Sequence, residues 1–245
     1  MAETLTASIS LLLVETSCFL VAHEGEERMH TATYTYKTFI IMDDSLSIQP
    51  TNGTSWYAMK VFMNKVPFCR DMFNIYNNVL LGIQDPKDNF PKDLQGEAME
   101  YFAPFYIDTF TNAKGKRVEV ERPLVPSLFF MRSNMRQAEG FERELMGMAR
   151  LYRRNTYGRK PVQIPLKQMQ MFMMVTSGDR EGLEFFEDGA FSWQKGERVR
   201  VIDGKFKGLE GEIKRIKGNH RLVVAVEGVC AVATAYIPRC FLEKI

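Results

Sequence analysis

The sequence predicts an α+β protein in which an antiparallel sheet with flanking helices is followed by a flexible linker and a small β-barrel. Three observations carry this prediction. Between residues 56 and 176, strand-like alternation is interleaved with apolar residues at helical spacing. Residues 177–192 contain five acidic residues and three glycines, a composition typical of a linker. Residues 193–245 contain four short strand patterns separated by turn residues, which favours a small barrel.

The first 52 residues are expected to form a disordered extension. They show no sustained periodicity and end in a polar stretch rich in turn formers. Met29 and Met42 are alternative start sites, so whether residues 1–41 belong to the natural protein is open. The apolar run at 10–22 is too short to span a bilayer, contains Glu15 and follows no Lys or Arg, so we expect neither a membrane span nor an export signal.

The first domain, predicted at 53–176, begins with a strand. WYAMKVF at 56–62 combines alternation with aromatic and β-branched residues. An apolar series at i, i+4, i+7 and i+11 then predicts the buried face of a helix; it consists of Phe68, Met72, Ile75 and Val79.

A β-hairpin is predicted next, from stretches 101–110 and 116–122 flanking a five-residue turn, and 125–132 supplies another strand. Phe141, Leu145 and Met148 have the spacing of a second helix. Residues 164–175 predict a third helix, because Pro165 is suited to a first helical turn. Its methionines, at 169, 171, 173 and 174, are interpreted as core residues, although their adaptable side chains also suit a binding surface.

The second domain, predicted at 193–245, contains the glycine-rich stretch GKFKGLEGEIKRIKG at 204–218. Its glycine intervals fit neither a Walker phosphate loop nor a dinucleotide fingerprint. We interpret the glycines as turn residues of a tight barrel loop that displays Phe206 between Lys205 and Lys207. Five valines in the strand patterns favour a stable barrel that keeps its β-structure: Val199, Val201, Val223, Val224 and Val226.

Catalysis is not expected from this sequence. It has three histidines, two in the extension and one in a predicted turn, so neither domain has a positioned general base. The four cysteines lie far apart, which argues against a zinc site and a disulfide framework and indicates reduced thiols in a cytoplasmic protein. We therefore expect no enzyme activity, no cofactor and no metal.

Two features indicate binding surfaces. Adjacent aromatic pairs place aromatic side chains on both faces of the predicted sheet, so one face is available to a partner helix. Residues 145–178 contain six basic and no acidic residues, and the hairpin tip adds Lys114, Lys116 and Arg117. Such clusters are either solvated surface or contacts to nucleic-acid phosphates.

With these elements in order, the chain resembles the NusG family of transcription elongation factors. KGERVRVIDGKFKGLEGEIKRIKGNHRLVVAVEG is similar to a KOW domain, and the Trp-Tyr strand with RPLVPSLFFMR resembles the preceding NGN domain. RKPVQIPLKQMQMF and AVATAYIPRCFLEKI are most similar to the UpxY-type antiterminators of capsular polysaccharide loci in Bacteroides-type bacteria. Val125-Pro126-Ser127-Leu128 departs from the Phe-Pro-Gly-Tyr of general NusG proteins, which favours a specialised paralogue.

The resemblance implies that the first domain binds the clamp helices of the largest RNA polymerase subunit. The aromatic surface expected to form the helix-binding groove consists of Tyr57, Phe62, Phe102, Phe105 and Phe129. The basic residues expected to touch upstream or non-template DNA, or nascent RNA, are Lys114, Lys116, Arg117, Arg153 and Arg154. The loop Lys205, Phe206 and Lys207 would contact NusE or Rho.

The implied function is antitermination on a capsular or exopolysaccharide operon, without bond-making chemistry. The alternative is a KOW-type RNA- or ribosome-binding protein that does not contact polymerase. The residues alone identify neither the target operon nor a DNA or RNA recognition element.

Overall fold

The computed structural model describes residues 53–86, 89–154, 158–177, 180–187, 196–216 and 218–245, together with the backbone of two strands nearer the start of the chain. The chain divides into two compact units, Met1–Ser47 and Ile48–Ile245. No helix among the described residues is long and apolar enough to cross a membrane.

The first unit contains two antiparallel strands. Strand β1, Leu12–Cys18, pairs with β2, Tyr34–Ile40, in a register that places Leu12 opposite Ile40. At these two stretches the chain differs from the expected disorder, because β-branched and aromatic residues there suit a paired ribbon. The proposed starts Met29 and Met42 lie outside the described residues.

The second unit begins with alternating strands and helices. In chain order these are β3 Ser55–Val61, α1 Val66–Leu80, β4 Glu100–Phe102, β5 Phe105–Thr111, β6 Arg117–Pro123, β7 Leu128–Ser133, α2 Met135–Glu144, β8 Ala149–Leu151 and α3 Leu166–Thr176. Four of the strands form one antiparallel sheet in the order β4-β7-β3-β8, while β5 and β6 form a separate two-stranded ribbon. The predicted mixed domain is therefore an antiparallel sheet with flanking helices.

Alternation along β3 and β7 directs side chains to both faces of this sheet. Tyr57 and Phe129 are buried on one face, in the core formed with α1 and α2. Trp56 and Phe130 are buried on the opposite face, in the core that contains α3. The period of two predicted this division, because successive strand side chains point in opposite directions.

Helix α1 buries a different face from the predicted one. Its buried residues are Val66, Cys69, Phe73 and Asn77. Phe68 and Ile75 of the predicted face remain 36% and 46% exposed. Polar Asn77 belongs to the true face because its side-chain oxygen accepts a 2.7 Å hydrogen bond from the Met99 amide, which satisfies a buried donor.

The remaining strands form one six-stranded antiparallel sheet. They are β9 Glu184–Glu187, β10 Glu197–Val201, β11 Glu210–Ile216, β12 Asn219–Val226, β13 Cys230–Tyr236 and β14 Leu242–Lys244. The order is β14-β10-β11-β12-β13-β9. In the described part of the chain no ladder joins β14 to β9, so the sheet does not close into the predicted barrel.

Strand β9 lies inside the segment predicted as a flexible linker. Phe185 pairs with Val232 and Phe186 with Ala231 of β13. The first five residues of β13 are buried, and β9 pairs along this buried part of the strand. The two phenylalanines of β9 therefore lie beside the core, although the surrounding sequence is acidic.

The two predicted domains share one hydrophobic core. A single cluster joins Trp56, Phe130 and Phe172 of the first domain to Val224 and Val232 of the second. Residues 53–176 and 193–245 thus belong to one compact unit in this structure.

Candidate functional site

Helix α3 lies at the centre of the shared core. Its sequence, LKQMQMFMMVT, is apolar around most of its circumference, so it needs cover on more than one side. Met169, Phe172 and Val175 are fully buried, and the half-buried Met171 and Met174 pack against the same cluster. The interpretation as core residues is therefore confirmed for Met169 and Met173, while Met171 and Met174 are only partly covered.

The N-terminal sheet supplies one cover of α3. The ring of Phe172 lies 4.9 Å from that of Phe130 in β7 and 6.3 Å from that of Phe102 in β4, measured between centroids. Trp56 and Ala58 of β3 are buried in the same cluster.

The C-terminal sheet supplies the other cover, mainly through β12 and β13. The ring of Phe185 in β9 lies 6.4 Å from that of Phe172, so one aromatic residue of α3 contacts both sheets. Three polar links surround this contact: Lys60 pairs with Glu187 at 2.8 Å, Lys167 with Glu210 at 2.9 Å, and the Glu227 amide donates to the Gln168 side chain at 3.1 Å.

Glu210 is the most buried charge at this interface, with a side chain that is 9% exposed. Burial raises the pKa of its carboxyl, but hydrogen bonds from Lys167 and Arg200 lower it by more, so the pKa lies below its ordinary value. The carboxylate is therefore held in its charged form between α3 and the C-terminal sheet. An open cleft of about 590 Å³ adjoins it, lined in part by Lys167, Arg198 and Glu212.

The aromatic residues expected to form one polymerase-binding surface do not lie together. Tyr57 and Phe129 are 1% and 0% exposed beneath α1 and α2, so neither lines a surface groove. Phe105 is half-buried on that same side, under the Arg70 guanidinium at 4.5 Å. Phe102 packs on the opposite side, against α3.

Phe62 follows the end of β3 and is half-buried, with its amide bonded to the Met148 carbonyl. The expectation of a single exposed aromatic groove is thus corrected by the sheet itself. Adjacent aromatic residues on a strand point to opposite faces, and each face already has a helical cover.

The glycine-rich loop also differs from its prediction. Phe206 is 6% exposed and belongs to the shared core, whereas Lys205 and Lys207 on either side are exposed. The Lys205 ammonium lies 5.0 Å from the centre of the Phe206 ring. Gly204 and Gly208 adopt left-handed backbone, which turns the chain so that the ring packs inward beneath the two lysines.

The predicted nucleic-acid contacts divide into exposed and neutralised residues. Lys114, Lys116 and Arg117 are exposed at the tip of the β5–β6 ribbon. Arg153 and Arg154 are exposed as well, but the Arg153 guanidinium is neutralised by a bidentate ion pair with Glu142 of α2.

No group of three or more His, Cys, Asp or Glu residues with metal-binding geometry occurs among the residues that the structure describes. The contacts that sequence reasoning missed are those of β9, Phe185 and Glu187. The adjacent pair Phe185 and Phe186 indicated a strand, but β13, with which this strand pairs, lies more than forty residues further along the chain.

Comparison with known proteins identifies one motif. Residues 195–226 match the KOW motif. The match covers β10, β11 and β12 in full, so the expected KOW motif is confirmed there. No curated protein matches the chain.

Among solved structures, the chain is similar to one described as "Domain interaction in Thermotoga maritima NusG". The two are 16% identical, with a TM-score of 0.36, and the alignment covers 78% of this chain and 97% of that one.

Proposed function

We propose that this protein is a NusG-type transcription elongation and antitermination factor that binds RNA polymerase. The observation that carries the proposal is the KOW motif at 195–226, which follows an antiparallel sheet with α1 and α2 on one face and α3 on the other. The NGN-like Trp-Tyr strand at the start of that sheet supports it. The protein acts by binding and carries out no chemical step.

The proposed polymerase-binding surface lies on the α3 side of the N-terminal sheet. Phe102 and the half-buried Met171 and Met174 provide apolar, adaptable side chains there, which suit an incoming helix. The C-terminal sheet covers this region through Phe185 and the Lys167–Glu210 pair. Polymerase binding therefore requires the C-terminal sheet to separate from α3.

The proposed target is a capsular or exopolysaccharide operon, as in the UpxY-type paralogues. Support comes from the resemblance of segments 159–172 and 231–245 to that branch. Suppressed pausing follows from differential binding: a preference of about 1–3 kcal/mol for the processive polymerase state changes pause lifetimes roughly 5- to 150-fold.

The test is co-purification of the tagged full chain with RNA polymerase from its own host, with operon read-through measured in a deletion strain. Phe102→Ala should weaken polymerase retention, while Phe110→Ala, an equal truncation at a residue 42% exposed in the β5–β6 ribbon, should not. Absence of polymerase from the purified material, or unchanged read-through on deletion, would sink the proposal.

The second candidate function is RNA or ribosome binding through the KOW part alone. Lys205 and Lys207 favour it, because both are exposed while Phe206 between them is buried. Charge reversal at the two lysines would then abolish function, whereas Phe102→Ala would leave it intact. Under either reading, contact of NusE or Rho with the Phe206 ring would require the loop to open first.

A further inference from the structure

A second hairpin lies between β8 and α3. Arg153 and Pro161 form an antiparallel bridge, the Val162 amide donates to the Tyr152 carbonyl at 2.8 Å, and the Arg154 amide donates to the Lys160 carbonyl at 3.1 Å. These bonds bring the two arms, residues 152–154 and 158–162, side by side. We name these two arms the basic hairpin.

Three cations of the basic hairpin are directed to solvent. Arg154, Arg159 and Lys160 are all exposed, and none of them forms an ion pair within the described part of the chain. The hydrogen bond between the Arg154 and Lys160 backbones holds two of these like charges close together. Such a cluster raises the local concentration of anions and favours a polyanionic partner.

The neighbouring acidic residue does not neutralise these cations. Glu142 accepts both prongs of Arg153 and also the Leu151 amide, at 2.8 Å. Burial raises the pKa of Glu142, but these hydrogen bonds lower it by more and keep it ionised. Glu142 is thus paired at the base of the hairpin. The negative charge of Glu139 also acts on Arg153, whose pKa it helps to raise.

The backbone of the second arm is fixed in an uncommon conformation. Gly158 and Arg159 have φ values of 85° and 40°, both in the left-handed region. A residue with a Cβ rarely adopts this region, and such residues concentrate at functional sites. Arg159 is exposed and precedes Lys160 directly, so this arm carries a third cation beside the pair joined by the backbone bond.

We infer that the basic hairpin binds the phosphodiester backbone of nucleic acid through Arg154, Arg159 and Lys160. Arg153 is not part of this site, because Glu142 occupies it. Nucleic acid fits better than a membrane surface, since the described apolar side chains of the hairpin, Tyr152, Pro161 and Val162, are half-buried or buried and offer nothing to insert into lipid. The inference rests on the proposed function for its cellular setting, where polymerase presents DNA and RNA.

The experiment measures binding of the full chain to fluorescein-labelled single-stranded and duplex DNA by anisotropy at several salt concentrations. The variant replaces all three cations, Arg154→Ala, Arg159→Ala and Lys160→Ala. The matched control removes three other exposed charges that lie outside every proposed binding surface, Lys65→Ala, Lys92→Ala and Arg239→Ala. Far-UV circular dichroism verifies that both variants are folded.

We expect the hairpin variant to bind at least about tenfold more weakly at low salt and to lose about 0.7 to 0.9 units of salt slope for each phosphate contact removed. The control should bind like the wild type. An unchanged slope in the hairpin variant, or an equal loss in the control, would overturn the inference. So would wild-type binding to anionic phosphatidylserine vesicles but to neither DNA probe.

Polymerase retention separates this inference from the proposed function. If the wild type co-purifies with polymerase but binds neither probe, only the basic hairpin is refuted. If it binds DNA through the hairpin but never retains polymerase, the proposed function fails and the hairpin assignment stands.

Discussion

Phe172→Ala tests whether the two sheets form one cooperative unit. The Phe172 side chain is fully buried and its ring neighbours Phe130, Phe102 and Phe185, which belong to β7, β4 and β9. Truncating a buried phenylalanine costs about 3–5 kcal/mol of unfolding free energy. Each aromatic pair lost adds roughly 0.5–1.5 kcal/mol beyond the buried area, so we expect the upper part of that range.

The assay combines urea unfolding with hydrogen exchange resolved by peptide. For a unit of this size, a loss of about 3–5 kcal/mol lowers the melting temperature by roughly 6–20 °C. Because Phe172 contacts both sheets, amide protection should fall in β7 and in β13 together. Phe110→Ala removes the same atoms from a residue 42% exposed, and should change stability by no more than about 0.5 kcal/mol.

Loss of protection in only one of the two sheets would contradict this expectation. If β12 and β13 keep their wild-type protection while β3 and β7 lose theirs, the C-terminal sheet is not stabilised by α3. The shared core would then be two cores in contact, and the energetic coupling argued from Phe172 would be absent.

Three further predictions address single contacts. Lys167→Glu should destabilise by about 1 kcal/mol, since it faces Glu210 with a like charge in a partly exposed pair, and raised salt in the urea assay should shrink the difference. Phe206→Ala should lower the free energy of unfolding by about 3 kcal/mol in the same assay, because the ring is 6% exposed, whereas Lys205→Ala should leave it nearly unchanged. Small effects of equal size for the two variants would contradict the burial of Phe206. Glu142→Gln should lower the free energy of unfolding at neutral pH. The difference from the wild type should shrink as the pH falls below about 4.5, because a carboxylate whose pKa is depressed by folding loses its stabilising effect as it becomes protonated. A difference that stays constant over this pH range in unfolding measurements would exclude the ion pair as its cause.

Strand alternation predicted the N-terminal sheet but could not assign its faces to solvent or core. Tyr57 and Phe129 share one face and Trp56 and Phe130 the other, as a period of two requires. Whether a helix covers a face depends on where α1, α2 and α3 pack, and this packing is determined by contacts between residues far apart in the sequence. The aromatic-groove prediction failed at this step.

Helix α1 shows the same limit in helical form. Two sets of residues satisfy helical spacing, the predicted one containing Phe68 and Ile75 and the buried one containing Val66, Cys69 and Phe73. The predicted set is more continuously apolar, since the buried set includes Asn77. Asn77 can be buried because its side-chain oxygen accepts a hydrogen bond from the Met99 amide, a long-range contact that a periodicity argument cannot detect.

Strand β9 was missed because composition outweighed a short pattern. Four residues, EFFE, lie among acidic residues and glycines that suit a linker. They become a strand only because β13 offers an edge for pairing and Phe185 enters the shared core. An edge strand of this kind is specified by its neighbour more than by its own sequence.

The cover of α3 has a consequence for affinity under the proposed function. A binding surface available only when the C-terminal sheet separates gives an apparent dissociation constant equal to the intrinsic one divided by the open fraction. The links across the interface, Lys60–Glu187, Lys167–Glu210 and the Phe185–Phe172 contact, set that fraction. Weakening one of them by about 1.4 kcal/mol would raise a small open fraction, and hence polymerase affinity, about tenfold. Lys167→Glu should therefore lower stability and strengthen polymerase retention, a pairing of effects that a purely structural contact would not produce.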